Sequence, residues 1–292
     1  MPTSSRSTLL IACLAVVYVV WGSTYLAIHF VVDGIPPLIS SAIRNLSAGP
    51  LLLAFLKWRG APWPTVRQWR NGAVVGFMMM GLGNGFVCVA ETSVPSGLAA
   101  LVVAGVPVFG ILFGWALGTR PRLLEWLGVA LSMAGMVLLN LDVHAAASPW
   151  AVALLFVAAL SWASASVLQP RLDMPKGPMS AAVQMLGGGT CLVAMSALRG
   201  EHLVVHDVPT SAWLALAYLI VFGSILAYSA FVYVINHSRP AMATSYAYVN
   251  PVVAVGLGAL FAGEAVTWPI VAAMAVILAG VALVMAGSAR KG

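Results

Sequence analysis

The stretch 241–263, AMATSYAYVNPVVAVGLGALFAG, decides how this chain is read. It is long enough to cross a bilayer, because about 20 residues at 1.5 Å rise span a hydrocarbon core roughly 30 Å thick. Yet it carries Tyr246, Tyr248, Asn250 and Pro251 near its middle, at a depth where lipid offers no partner to a polar group. An apolar helix with a polar, proline-broken centre is expected to line a cavity. The earlier stretch 97–118, GLAALVVAGVPVFGILFGWALG, repeats the outline, Pro107 matching Pro251 and Gly114 matching Gly258.

Composition sets the class. The 292 residues are 61% hydrophobic and 8% charged, with a mean hydropathy of +0.99. Soluble domains carry about 25% charged residues, so this chain reads as an integral membrane protein. Its net charge of +6 does not point to nucleic acid, because the cations sit in short loops between apolar runs, where they set topology. Cys13, Cys88 and Cys191 lie inside apolar runs at unrelated spacings, a packing pattern and not a zinc or redox one. The N-terminal run is read as a first membrane helix and not a removed signal peptide, since it lacks a small-residue cleavage site.

Ten apolar spans are expected, at 9–30, 36–56, 71–90, 95–117, 123–141, 149–169, 178–198, 211–235, 241–263 and 266–287. With the N-terminus in the cytoplasm, 12 of the 14 basic residues fall on that side and only Arg199 on the other. Six of the eight acids (Asp33, Glu91, Asp142, Glu201, Asp207, Glu264) fall outside. This positive-inside bias places both chain ends in the cytoplasm.

Spacing then divides the chain into two repeats, 1–143 and 144–292. Trp21 to Pro107 and Trp162 to Pro251 are 86 and 89 residues apart. Ala134–Gly135 and Ala279–Gly280 sit alike in spans five and ten, and Arg44 aligns with Gln184. Five spans per half is an odd number, so the second half enters the membrane upside down. Loops at equivalent places should then differ in charge, as Arg120 and Arg122 after span four and Glu264 after span nine do. Inverted repeats around a midplane site are a common plan of secondary transporters.

Eight of the ten tryptophans lie at span ends, the ordinary aromatic belt. Trp21 and Trp162 sit near span centres at equivalent places, each beside small polar residues (Ser23, Thr24; Ser164). Two readings are open: close helix packing, or two rings facing one cavity, each indole N–H needing a partner. Tyr246 and Asn250, four apart, share a helical face. Pro251 frees the carbonyl of Ala247, and Tyr228 and Asn84 are similar polar candidates in spans eight and three. Arg44 lies about nine residues into span two, roughly 13 Å from its outer end. At that depth an arginine costs about 2.5–3.5 kcal/mol on insertion scales. It is expected to brace against a carbonyl or an outer acid, Glu91 or Asp33, with an anionic substrate group as the second reading. Glu91 is read as a loop acid or, alternatively, as a protonatable coupling residue at the cavity mouth. His29 reads as interfacial. No catalytic motif and no cofactor fingerprint is found; His202 and His206, four apart beside Glu201 and Asp207, are the one place where a metal site is conceivable, and none is expected.

VVWGSTYLAI (19–28), the span-two arginine, VPSGLAALVVAGVPVFG (94–110), SRPAMATSYAYVNPVVAV (238–255) and the closing GE at 263–264 together resemble the drug/metabolite transporter superfamily, EamA type. The likeness runs through both halves and leans toward its YedA-like bacterial inner-membrane exporter branch. The resemblance implies an all-α membrane fold of ten helices in two inverted five-helix repeats around a central cavity. It also implies export of amino acids, metabolites or toxic small molecules across the bacterial inner membrane. Many relatives have an acid before the span-nine proline; Asn250 stands there in this chain, which argues against a carboxylate site at that position.

The expected protein is a functional monomer that moves a small organic solute by alternating access, with protons as a coupling ion the weaker part of the expectation. Spans one, three, four, six, eight and nine would line the cavity. Trp21, Trp162 and Tyr246 would supply aromatic surface, Asn84, Ser164 and Asn250 hydrogen bonds, and Pro107 and Pro251 bends. An intramembrane transferase is the first competing class, and it would need paired acids or histidines near a membrane face. A non-transporting assembly protein is the second, and it would have a sealed centre. A channel would need continuous rings of charge, which the sequence lacks.

Overall fold

The computed structural model describes residues 3–32, 34–93, 99, 102–139, 148–261 and 267–289. Among the described residues the main helices are α1 Thr3–Val32, α2 Pro37–Trp58, α3 Val66–Glu91, α4 Val106–Ala116, α5 Leu123–Leu139, α6 Pro149–Leu168, α7 Pro178–Arg199, α8 Thr210–His237, α9 Tyr246–Phe261 and α10 Trp268–Ala289. Seven of them are long and apolar enough to cross a membrane. The other three, α4, α5 and α9, have 11, 17 and 16 described residues. α4 is short because Pro107 stands in its first turn and the backbone before it turns at Gly105, whose N–H reaches only as far as Val102 O. α9 is preceded by a one-turn helix, Pro240–Thr244, and the break falls at Ser245. Pro251 itself sits inside α9, so the interruption lies before the proline and not at it. The expectations for Asp33, Asp142, His144 and Glu264, and for the side chain of His29, fall outside what is described.

Two rods are not uniform. α3 is π-helical over Phe77–Gly85 and α8 over Leu219–Leu226. The two segments sit in corresponding spans of the two halves, and π stretches tend to mark functional positions.

Lipid supplies no hydrophobic drive for one helix to leave it and join another, so packing depends on close backbone approach. α2 and α3 pack on α7, and α5 packs along α10. At the α3–α7 crossing a methyl group on Gly76 would lie 2.1 Å from the Gln184 carbonyl oxygen. At the α5–α10 crossing a methyl on Gly280 would lie 2.6 Å from the Gly128 carbonyl oxygen. Only glycine fits at either place.

The rod ends are tied across the halves. α2 has no side-chain cap of its own, because Pro36 precedes it. The Glu201 carboxylate, from the segment after α7, instead accepts the N–H groups of Leu38 and Ile39, each at 3.0 Å. A carboxylate at a helix N-terminus satisfies free donors and complements the helix dipole. At the opposite end of the bundle buried Glu125 accepts from Arg239 Nη2 at 3.0 Å, Arg122 N at 2.9 Å and Ser288 Oγ at 3.0 Å. That knot joins α5, the entry to α9 and the end of α10.

Gly76→Val and Gly280→Val should each destabilise the protein by about 1–3 kcal/mol, the cost of overpacking. Gly256→Ala, where a new methyl meets nothing within 4 Å, should change little. Thermal unfolding in one detergent checks the contrast.

Candidate solute cavity

Trp21 is the centre of an aromatic cluster drawn from four helices. Its ring centroid lies 5.7 Å from Trp162 on α6, 4.9 Å from Phe231 and 6.4 Å from Tyr228 on α8, and 4.8 Å from Tyr246 on α9. Edge-on and tilted contacts at these separations are the favoured ones for aromatic pairs. The Trp21 indole N–H donates to the Gly223 carbonyl at 3.0 Å, inside the π segment of α8. The other half does the corresponding thing with its neighbour: Ser161 Oγ, one residue before Trp162, donates to the Met78 carbonyl at 2.8 Å in the π segment of α3. The two tryptophans thus pack against each other and also border a cavity.

That cavity, counted together with the solvent at its open mouth, takes up about 850 Å³. Among the residues singled out in the sequence, Trp21, Thr24, Arg44, Asn84, Glu91, Trp162, Tyr228, Tyr246 and Asn250 line it. Ser23, Pro107, Ser164 and Pro251 are not among its lining residues. Ser23 bonds instead to Tyr218 OH at 2.6 Å and Val20 O at 2.7 Å, and Ser164 donates to Ser161 O at 3.0 Å. The two prolines are buried in the helix packing and shape the backbone beside the cavity. The α1 lining residues, Trp21, Thr24 and Ile28, run from the aromatic cluster toward the Val32 end. On the other side of Trp21, Leu14 and Val17 are buried, and Tyr18 OH shares a 2.5 Å hydrogen bond with Ser245 Oγ. The aromatic cluster is therefore the floor of a cavity that lies toward one end of the bundle.

Arg44 donates through Nε to Ser224 Oγ at 2.7 Å. No carboxylate of the described residues lies within 4.0 Å of it, so the expected brace to Glu91 is replaced by a hydroxyl on α8. The reason is local. α2 meets α8 at Gly223–Ser224, where the missing side chain leaves room for the guanidinium: a methyl on Gly223 would lie 3.0 Å from Arg44 Nη2. Arg44 itself lines the cavity. Glu91, the last residue of α3, lines the same cavity, and its Oε1 is buried with no hydrogen-bond partner among the described residues. Trp162 Nε1 and Asn250 Oδ1 are likewise buried and unpartnered there. Buried polar atoms are nearly always satisfied in native proteins. One donor, one carboxylate oxygen, one amide oxygen and a cation in one cavity form a set waiting for a polar ligand or for water.

Several site residues were not singled out by sequence reasoning. Tyr228 OH donates to Gln184 Oε1 at 2.6 Å, and Gln184 Nε2 passes the chain to Ser180 Oγ at 2.8 Å. The alignment of Gln184 with Arg44 was a signal for it, since both are mid-span polar residues that bond to α8. Phe231 and the Gly223 carbonyl carried no signal. Tyr248, two residues from Tyr246, faces away from the cavity into the core between α5 and α10.

The Trp21 bond and packing can be separated. Trp21→Phe keeps a ring and loses one buried hydrogen bond, so it should cost about 0.5–1.5 kcal/mol. Trp21→Ala should cost about 3–5 kcal/mol. Equilibrium unfolding in detergent measures both.

Two stretches of the chain, 7–141 and 149–286, match the EamA-like transporter family. The chain is 44% identical over 280 residues to the uncharacterized inner membrane transporter YedA of Escherichia coli strain K12, covering 95% of this chain and 91% of that protein. It is 28% identical over 247 residues to Protein PecM of Dickeya dadantii, covering 83% of this chain and 80% of PecM. A solved crystal structure, 21% identical, superposes with a TM-score of 0.77 over 99% of both chains and shares the fold. With a match in each half and a relative this similar along nearly its whole length, the chain belongs to the EamA-like transporter family.

Proposed function

We propose that this protein is a secondary transporter of the bacterial inner membrane that exports a small organic solute by alternating access. The observation that carries the reading is the cavity: helices of both halves contribute to it, it has an aromatic floor, and it holds unpaired polar atoms at membrane depth. A sealed assembly protein has no use for such a space, and unpaired buried groups cost a structural protein stability. The family matches and the names of the relatives support transport as the activity.

The finer reading is ten spans in two inverted repeats, 1–143 and 144–292, with both termini in the cytoplasm. In that orientation the cavity mouth, marked by Ile28 and Glu91, faces outward, and the Trp21 cluster with the Glu125–Arg239 knot closes the inner side. Inward opening would part Tyr18 from Ser245 and move the aromatic floor. Trp21, Trp162, Tyr228 and Tyr246 would hold the apolar part of the solute. Asn84, Asn250 and Arg44 would hold its polar groups. The internal duplication supplies both walls of the path, which supports a functional monomer. Glu91 is the carboxylate of the described lining and so the group available to carry a proton.

Purified protein in liposomes should catalyse counterflow of a member of a panel of amino acids, their analogues and aromatic metabolites. Trp162→Ala and Asn250→Ala should lower the rate by at least tenfold, about 1.4 kcal/mol or more, while leaving the folded fraction intact. No flux of any solute under any imposed gradient would contradict transport. Substituting both His202 and His206 with alanine should leave flux unchanged; loss of flux would favour the enzymatic reading.

Glu91→Gln should abolish the dependence of uphill flux on a pH gradient and preserve counterflow. Equal loss of both would show that Glu91 binds solute or holds the fold instead of coupling protons.

A further inference from the structure

The segment 57–70, KWRGAPWPTVRQWR, joins α2 to α3 and holds four cations, three tryptophans and no acid. Its counterpart in the second half, 199–210, holds Glu201 and Asp207. The basic segment is built, not loose. Gly60 turns the chain with φ +82, a backbone angle that favours glycine. Ala61 N returns to Leu56 O at 2.9 Å, and Lys57 Nζ sits 4.5 Å over the Trp63 ring. Thr65 and Gln68 form a capping box that starts α3. Gln68 Nε2 and Asn71 Nδ2 then anchor the segment to Asp173, at 3.1 Å to its carboxylate and 3.0 Å to its carbonyl. Lys176, exposed three residues on, joins the same face.

Two features of this platform have no use inside the protein. The first is charge. Asp173 is 4.0 Å from Arg67 and is the one acid of the described residues to pair with the segment. Arg59 and Arg70 are exposed and have no carboxylate within 4.0 Å among the described residues. The second is a stripe of exposed apolar residues leading into it. Leu51, Phe55 and Trp58 lie on one face of α2 and are 58%, 52% and 80% exposed. The Phe55 and Trp58 rings meet in a tilted contact along that face, with centroids 6.1 Å apart. Trp63 is 66% exposed beside them.

We infer that this surface is a binding site for an anionic phospholipid. The acyl chains would lie along Leu51 and Phe55, Trp58 and Trp63 would sit at the glycerol level, and Arg59 and Arg70 would hold the phosphate and the headgroup charge. A tryptophan belt places indoles at that depth, and clustered cations beside a membrane helix select anionic lipid. A zwitterionic lipid offers the same phosphate but brings its own cation into a face that already carries five. The pre-formed segment needs no ordering on binding, which favours a resident lipid over a transient one.

The test uses the full-length protein in mixed phosphatidylglycerol–phosphatidylcholine nanodiscs, with lipids retained after detergent extraction counted by native mass spectrometry. The protein should retain phosphatidylglycerol over phosphatidylcholine by about tenfold, as expected for a few cations at a membrane surface. R59Q combined with R70Q, which breaks no side-chain bond among the described residues, should bring that ratio close to one; R199Q, at the opposite end of the bundle, should leave it unchanged. Added phosphatidylglycerol should raise the thermal midpoint of the native protein and not of the double variant. An unchanged retention ratio in the double variant overturns the site, as does equal retention of the two lipids by the native protein. Stabilisation by inorganic phosphate equal to that by phosphatidylglycerol also overturns it, because the site would then be one for a free anion.

Discussion

Two carbonyl groups, on Gly223 and Met78, hold the centre of this protein together. Each lies in a π-helical segment, and each accepts a hydrogen bond from a side chain of the opposite half: Trp21 on α1 for one, Ser161 on α6 for the other. At membrane depth no water competes for a carbonyl that a side chain can reach, so such a bond is rarely left unmade. The consequence is geometric. α1 is held against α8 and α6 against α3, and the rings that follow, Trp21 and Trp162, are brought 5.7 Å apart. The floor of the cavity is a by-product of fixing the two halves to each other.

The remaining contacts divide into those that fix and those that leave room. Glycines at the α3–α7 and α5–α10 crossings allow no space between backbones, and those pairs form stiff walls. Glu201 caps α2 from the other half, which spends a carboxylate at a helix end, and Arg44 has no acid within 4.0 Å among the described residues. The cation, the unbonded oxygens of Glu91 and Asn250 and the indole N–H of Trp162 then remain in one cavity. Among the described residues, Gln169, Ser229 and Tyr248 also hold unsatisfied buried atoms outside the cavity, but only in the cavity do such atoms share a space with a cation.

Much of this was legible in the sequence because lipid is a strict solvent. Apolar run length pointed to the membrane helices, and the similar separations of Trp21–Pro107 and Trp162–Pro251 suggested a two-part plan. Trp21, Asn84, Trp162, Tyr228, Tyr246 and Asn250 stood out because polar or amphipathic groups at mid-span are costly unless they face a partner or a cavity. The misses share a cause. Ser23 and Ser164 are small enough to bond back to their own helix or a neighbouring tyrosine, so their position along a span did not fix the direction they face. The break before α9 falls at Ser245 and not at Pro251, because a proline disturbs the turn before it. Arg44 bonds to a serine and not to Glu91, since a partner on another helix depends on which residue lies opposite, and spacing along one chain does not contain that. The π segments left no mark beyond a run of glycines at 81–85 in one of the two.

The account rests on a cavity that reaches water from one membrane face at a time. V87C, at a cavity-lining residue given no part in holding the solute, in a protein whose three native cysteines are replaced by serine, reports on it through its reaction with a membrane-impermeant thiol reagent in right-side-out and inside-out vesicles. The account predicts labelling from the outer face in the resting protein, and labelling from the cytoplasmic face only once transported solute is present. Failure to label from either face, or equal labelling from both at all times, would contradict it.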